Sequence, residues 1–467
     1  MRLFLGAAAA ACAISLAVHL PLAAAAGDEP GPGPRESTTV VLTATGGHDG
    51  TDSRLLATVL GADESPLAEV PVRLERRVGG TWRVIGEPVA DADGVVTQRA
   101  LIWPVAANNR FRAAYVGDDT HAASRSATTA RLEKRTGVLR LTGPHRVVDG
   151  RRITLEVRSR TRSGDPVAGE VRVLRRTRGD RWRQVHVLTT GDHGKARIAV
   201  RPRVDTRWRV TSEPRDWVSG ARSRVLRVDN LPPTAPVELP AAAPTPRVSL
   251  PPQAGGTGRG AHPVVTSIPA GVWRQMTGRS WHAGCPVGRA GLRLLRINYW
   301  GYDGYRHRGE LVAAASAIGV MARALTRLYE ARLPIRSMYR VDRFGWSSKL
   351  QGADDYASMA AGNTSAFNCR QVVNRPGVRS PHSYGRALDL NTWENPYRSP
   401  TGLVPNTWWQ GHSHPRVAWR SSSHRVVRIL TSAGFRWTYG LGDTQHFDVG
   451  GGYGRLAHRR CGGAVCD

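Results

Sequence analysis

Residues 65–96 and 165–196 are two copies of one pattern, and this internal repeat constrains the first half of the chain more than any other feature. The first copy reads SPLAEVPVRLERRVGGTWRVIGEPVADADGVV and the second DPVAGEVRVLRRTRGDRWRQVHVLTTGDHGKA. Pro66 matches Pro166, Trp82 matches Trp182 and Gly94 matches Gly194. An aromatic-arginine step follows each copy, Phe111-Arg112 and Trp208-Arg209, and then a Ser/Arg-rich stretch near Ser124 and Ser223. Apolar and polar residues alternate through Val72, Leu74 and through Val171, Val173, with Gly, Asp and Pro between the runs. Period-two alternation broken by turn residues is the pattern of antiparallel strands with one buried face, so each copy predicts a β-sandwich. Trp82 and Trp182, at matching places in strand-like runs, read as core tryptophans between sheets rather than as carbohydrate-stacking platforms. No catalytic cluster is evident in this half.

The two copies resemble bacterial immunoglobulin-like domains, which implies two all-β sandwiches over residues 36–135 and 136–230. From Leu231 the chain reads LPPTAPVELPAAAPTPRVSLPPQAGGTGRGAHP, and proline at this density predicts an extended, semi-rigid linker over 231–265. Residues 266–467 mix periods. Leu311, Ala315, Ile318, Ala322, Leu325 and Tyr329 fall at helical spacing from Glu310 to about Arg332, and Pro334 closes that helix. Ile335 to Val341 reads as a strand, Ser422 to Ala433 as a second helix stopped by Gly434, and His446 to Val449 as a short strand. This is an α+β pattern.

The N-terminus bears on compartment. Arg2 precedes an Ala/Leu/Val-rich run ending at Leu22, and Ala24, Ala25 and Ala26 supply small residues before Gly27. That layout predicts a signal peptide over residues 1–26 and a secreted or wall-associated protein. A retained anchor is the alternative, because the run is nearly long enough to span a bilayer. Cys12 would leave with the signal, and Cys285, Cys369, Cys461 and Cys466 would remain. Four cysteines in an exported chain predict two disulfides with three possible pairings. Closeness in sequence favours Cys461 with Cys466, and therefore Cys285 with Cys369. Their spacing is not that of a zinc ribbon.

The formal net charge is +29, and lysine occurs only at Lys134, Lys195 and Lys349. Such a charge favours polyanionic partners, an anionic cell-wall polymer among them. No basic-aromatic nucleic-acid motif accompanies it, so no nucleic-acid partner is expected and most arginines read as dispersed, solvated charge.

Chemistry concentrates in two stretches, Ser380 to Asn391 (SPHSYGRALDLN) and Asp443 to Asp448 (DTQHFD). A hydrolytic zinc site needs three nitrogen or oxygen ligands, a base for the attacking water and a positive group for the oxyanion. His382, Asp389 and His446 can supply the ligands, and Asp443 precedes the last of them by three residues. Gly385 permits a tight turn between the first two. His412, His414 and His424 could prompt a similar story, and a single histidine is more often a surface or core residue than a ligand.

Ser-x-His-x-x-Gly-x-Ala-x-Asp (Ser380, His382, Gly385, Ala387, Asp389) followed by Asp-x-x-His (Asp443, His446) resembles the VanY-type zinc D-alanyl-D-alanine carboxypeptidases. Their relatives include cell-wall L,D-endopeptidases and the Hedgehog signalling domain, which shares the fold. The likeness extends through NYWGYDG at Asn298, GELV at Gly309 and NTSAFNCR from Asn363 to Arg370. It implies a Hedgehog-like α+β peptidase domain over roughly the last 200 residues. His382, Asp389 and His446 would hold Zn2+, Asp443 would be the general base, and an upstream arginine, Arg370 in preference to Arg340, would polarise the scissile carbonyl. Ser380 would hydrogen-bond substrate or orient the site. Many relatives carry glutamate where Asp443 stands, as the endopeptidase branch does not, so the bond cleaved stays open. The expected function is hydrolysis of D-amino-acid-containing bonds in peptidoglycan stem peptides by a monomer. The alternatives are an L-alanyl-D-glutamate or cross-link endopeptidase, or an inert wall-binding protein.

Overall fold

The structure, a computed structural model, describes residues 34–450 and, beyond them, the backbone of two short strands, Arg460–Cys461 and Ala464–Val465. The expected signal peptide over residues 1–26 and the expected Cys461–Cys466 bridge lie outside the described residues and side chains.

Each sequence repeat lies in a unit of two sheets over one core, antiparallel except where Arg146–Val148 joins the second unit parallel to Leu226–Leu231. In the first unit Thr39–Ala44, Asp52–Leu60 and Val95–Leu101 form one sheet. Thr81–Gly86, Val72–Val78, Arg110–Tyr115 and Ser124–Thr129 form the other. Strand Asp52–Leu60 buries Ser53, Leu55, Ala57 and Val59 in strict alternation, as a half-buried pleat requires. Leu55, Val72, Leu74, Phe111 and Ala113 meet between the sheets. In the second unit Gly137–Thr142, Ile153–Thr161 and Lys195–Val200 face a sheet built on Leu226–Leu231, Thr206–Ser212, Gly169–Arg176 and Arg183–Thr190. Leu155, Val171, Val173, Trp208 and Val210 fill that core.

The expectation for Trp82 and Trp182 is overturned. Both are half-buried on the outer faces, where Arg112 lies 4.5 Å from the Trp82 ring and Arg209 lies 4.1 Å from the Trp182 ring. Phe111 and Trp208 take the core positions instead, because each precedes its arginine by one residue and adjacent strand residues point to opposite faces.

The proline-rich segment is extended, as expected, but it is laid onto the C-terminal region rather than spacing it away. Val237 N–H donates to the Tyr302 carbonyl at 2.8 Å, Arg247 N–H to Ala360 at 3.0 Å, and Trp393 Nε1–H to the Pro244 carbonyl at 2.7 Å. Leu239 and Ala243 pack against a cluster containing Trp393 and Trp409. Proline lacks an N–H but keeps its carbonyl, so such a segment can accept hydrogen bonds along its length without joining a sheet.

The C-terminal region is built on an antiparallel meander, Val264–Ser267, Leu292–Trp300 and Arg306–Ala314. Two elements differ from the sequence reading. The helix starts at Ile318 and not at Glu310, since residues through Ala314 pair with Leu292–Trp300; it runs Ile318–Glu330. A strand over Ile335–Val341 does not form. That stretch is pinned by single bonds, Ile335 N–H to Trp300 and Thr364 N–H to Ser337, and makes one isolated bridge, Ser337 with Asn363. The second helix is Arg425–Ser432, entered through the His424 ring, whose Nδ1 accepts from Val426 N–H.

The element that positions the site is a small antiparallel sheet of Ala387–Asp389, His446–Val449 and Phe435–Arg436. Leu388 opposes Phe447, and both are fully buried in the main core. Burial contributes roughly 1.5–3 kcal/mol for each such side chain. Asp389 opposes His446 and Ala387 opposes Asp448 on the other face. A slip of one residue would exchange these faces and bury the polar set in the core, so the apolar pair holds the polar pair in register.

Cys285 and Cys369 form a disulfide across 84 residues, with Cα atoms 5.9 Å apart. In the chain-entropy description a loop of that length stabilises by about 4–5 kcal/mol. The Cys285→Ser/Cys369→Ser protein is therefore expected to unfold at a clearly lower denaturant concentration, followed by circular dichroism. An unchanged midpoint would show that the bond constrains nothing in the unfolded chain.

Candidate metal centre

Ser380 opens the site. It caps the turn Pro381–Tyr384, its Oγ accepting from His382 N–H at 3.3 Å. Gly385 ends that turn in the left-handed region at φ +66°, and a Cβ there would come within 2.6 Å of Ala314 N. Only glycine meets both demands. The chain then enters Ala387–Asp389, and its pairing with His446–Val449 brings Asp389 beside His446.

His382, Asp389 and His446 converge, with one donor atom from each inside a span of 4.8 Å. His382 Nε2 lies 3.1 Å from Asp389 Oδ2, His446 Nδ1 lies 3.2 Å from Asp389 Oδ1, and the two imidazole nitrogens are 3.2 Å apart. The three residues are at most 2 % exposed. Outer partners engage the far ring nitrogens. His382 Nδ1 is 2.6 Å from the Ala366 carbonyl, which can only accept, so Nδ1 carries the proton. His446 Nε2 is 3.1 Å from Asp448 Oδ1 and its Nδ1 is 3.2 Å from Asp389 Oδ1, so a carboxylate stands at each ring nitrogen. The facing atoms, His382 Nε2 and His446 Nδ1, both border the Asp389 carboxylate, to which either can donate when it carries a proton. Once those inner nitrogens give up their protons, two neutral imidazoles and one carboxylate form a donor set that suits zinc. The residues therefore fit the metal that the motif implies.

Electrostatics agree. Burial pushes the Asp389 carboxyl up, but the charges and hydrogen bonds of His382 and His446 outweigh it and hold the group far below the carboxylate range. Asp448 behaves alike: burial opposes ionisation, and the nearby His446 and the Thr438 hydroxyl, 2.6 Å from Oδ2, hold its pKa down. Asp448 was not singled out from sequence. Its signal was present, because a residue two along a strand from a ligand shares the ligand's face.

Asp443 ends the turn Gly440–Gly442, is 1 % exposed and bridges Tyr397 through the backbone. Arg370 and Arg340 differ sharply. The Arg340 guanidinium is engaged by Asp342 at 3.0 Å, Glu310 at 2.7 Å and Gln275 at 2.5 Å, an ion-pair network of its own. Arg370 is tied to the ligand loop: its N–H donates to Ser383 Oγ at 3.2 Å and its carbonyl accepts from Ser380 N–H at 3.0 Å. Its guanidinium pairs with buried Asp355 at 2.8 Å and lines a groove of about 170 Å³ with His282, Gln371 and Arg379. Burial raises the Asp355 pKa, Arg370 opposes that shift, and the Asp389 charge adds to it, so the pair is electrostatically linked to the ligands. Ser380 is fully buried, and its hydroxyl caps the turn that carries His382.

The other histidines go elsewhere. His412 stacks on Trp408 at 3.7 Å, and His414 Nε2 lies 3.3 Å from the Glu238 carbonyl. His282 comes near Cys285 and Cys369, but those sulfurs are spent on the disulfide. No helix among the described residues is long and apolar enough to cross a membrane.

No curated protein matches the chain. Among solved structures, E. coli alpha-2-macroglobulin in its native conformation is similar at 9% identity, over 56% of this chain and 18% of that one. Its TM-score of 0.20 carries no argument about fold. Residues 374–449 match the family described as D-alanyl-D-alanine carboxypeptidase, a stretch holding His382, Asp389, Asp443, His446 and Asp448, and the match supports a peptidase of that type at the level of family.

Proposed function

We propose that the chain is a secreted, zinc-dependent peptidase that hydrolyses D-amino-acid-containing bonds in peptidoglycan stem peptides. In this reading two immunoglobulin-like domains precede a Hedgehog-like catalytic domain, and the protein acts as a monomer. The observation that carries it is the buried His382–Asp389–His446 cluster, with the Ala366 carbonyl and Asp448 at the outer imidazole nitrogens, inside the stretch that matches the family.

His382 Nε2, Asp389 and His446 Nδ1 would hold the zinc, which supplies Lewis acidity toward a peptide carbonyl and an acidified water. The chain's own groups do the rest. The Ala366 carbonyl and Asp448 keep the outer imidazole protons in place, so the inner nitrogens stay available. An Asp443 carboxylate oxygen takes the proton of the attacking water and returns it to the leaving amine. Arg370 donates to the oxygen that gains charge as the carbonyl becomes tetrahedral. The short side chain of Asp443, in place of the glutamate common in carboxypeptidase relatives, favours a second reading as an L-alanyl-D-glutamate endopeptidase.

Mass spectrometry of fragments released from purified peptidoglycan decides between them. Free D-alanine identifies the carboxypeptidase, and a split between the first two stem residues identifies the endopeptidase. No release by zinc-loaded protein, from walls of differing stem chemistry, would leave an inert binding module.

A further inference from the structure

We propose that the outer face of the second two-sheet unit, at Arg176, Arg207 and Arg227, binds an anionic wall polymer with a phosphodiester backbone. The choice of polymer rests on the wall-peptidase reading above; the anion site does not.

The charge of the chain is not evenly spread. Residues 36–135 carry 12 basic against 13 acidic residues, whereas residues 136–230 carry 23 against 10. Of two copies of one pattern, the first is thus near neutral and the second strongly positive. One position shows how. In the first unit Glu75 opposes Arg112 across the strands and pairs with it. In the second unit the same register place opposite Arg209 holds Leu174. The neutralising carboxylate is gone. Arg209 lies near Arg222 and Arg176, and burial followed by those two charges pushes its pKa below the ordinary value.

The neighbouring row is more telling. Arg176 opposes Arg207, and Arg207 opposes Arg227, so three arginines stand side by side across three adjacent strands. Like charges directly opposite one another destabilise a sheet. None of the three has an ion-pair partner among the described residues, and all three line one groove of about 510 Å³. Three carboxylates share that groove, Asp180, Asp205 and Asp229. Two of them are engaged locally: Asp180 accepts from the Thr177 hydroxyl, and Asp205 Oδ1 accepts from Asn230 N–H at 2.8 Å. A polymer bearing regularly spaced anions would turn the repulsion along this row into attraction.

Nucleic acid is the competing polyanion, and the face lacks what it needs. Single-stranded binders present aromatic rings to the bases. Here Trp182 has Arg209 at 4.1 Å and Arg176 at 5.1 Å from its ring, and Trp208 is buried in the core. The site offers charge without a stacking platform.

The test uses the full-length protein, with poly(glycerol phosphate) as the probe, in fluorescence anisotropy at several salt concentrations. The Arg176→Ala/Arg207→Ala/Arg227→Ala variant is expected to bind at least about tenfold more weakly, and to lower the log–log salt slope by about three. A control with three exposed arginines of the first unit removed, Arg83→Ala/Arg110→Ala/Arg125→Ala, is expected to bind like the parent. Hydrolysis of a soluble stem peptide should be the same for all three proteins, while hydrolysis of intact walls should fall only for the first variant. Equal losses in both variants would mean diffuse charge and overturn the site. Tighter binding to single-stranded DNA of equal charge would overturn the choice of polymer. Binding is read without turnover, so an inactive enzyme would sink the peptidase reading and leave this result standing.

Discussion

The His382→Ala protein is expected to lose its bound zinc and, with it, on the order of a thousandfold or more of its activity on peptidoglycan. His382 is the ligand whose surroundings are most fully determined. Ser380 caps its turn, Gly385 lets the backbone leave toward Ala387–Asp389, and the Ala366 carbonyl fixes its proton on Nδ1. Alanine removes one of three donors and leaves Asp389 facing a single imidazole. Metal analysis by mass spectrometry, alongside fragment release, checks both halves. A variant that retains one zinc per chain and full activity would show that the cluster is not the metal centre. The thermal midpoint guards against misreading a collapsed protein. In the metal-free state a modest loss of stability is expected, because buried Asp389 keeps only His446 as a partner, and the folded fraction is used to normalise zinc content and activity.

Asp443→Asn is expected to separate binding from chemistry. Asparagine keeps the size and the backbone bridge to Tyr397 but cannot take a proton from water. Zinc content should stay near one per chain, KM should change little, and kcat should fall by about 10² to 10⁴. Loss of zinc in this variant would make Asp443 a ligand rather than a base. Unchanged kcat would move the proton-accepting role to another carboxylate, with Asp355 a candidate through its link to Arg370 and Asp389.

Much of the chemistry was legible in the sequence because it is local. The turn from Ser380 to Gly385 is written in its residues: a capping hydroxyl, a proline at the first position and a glycine at the left-handed end. Two-sheet repeats were legible for the same reason, since alternation and turn residues act within a few positions. Helical spacing across residues 310–317 misled, because a strand buried on both faces can carry the same apolar residues as a helix. Trp82 and Trp182 misled because hydrophobicity alone does not say which face of a strand is inside. Cross-strand register does, and it put Phe111 and Trp208 within.

The sequence by itself determined which side chains could form a metal centre and which short turn would present the first of them. Only the tertiary structure decided the rest. It paired Asp389 with His446 across a sheet held by Leu388 and Phe447, and it supplied Ala366 and Asp448 to set the imidazole protons. It separated Arg370, bound to the ligand loop, from Arg340, saturated by Asp342 and Glu310. It laid the proline-rich segment onto the C-terminal region and lined up Arg176, Arg207 and Arg227 on neighbouring strands. The physical reason is common to all of these. A hydrogen bond or an ion pair depends on a few ångströms between atoms that lie tens of residues apart, and no local pattern encodes that distance.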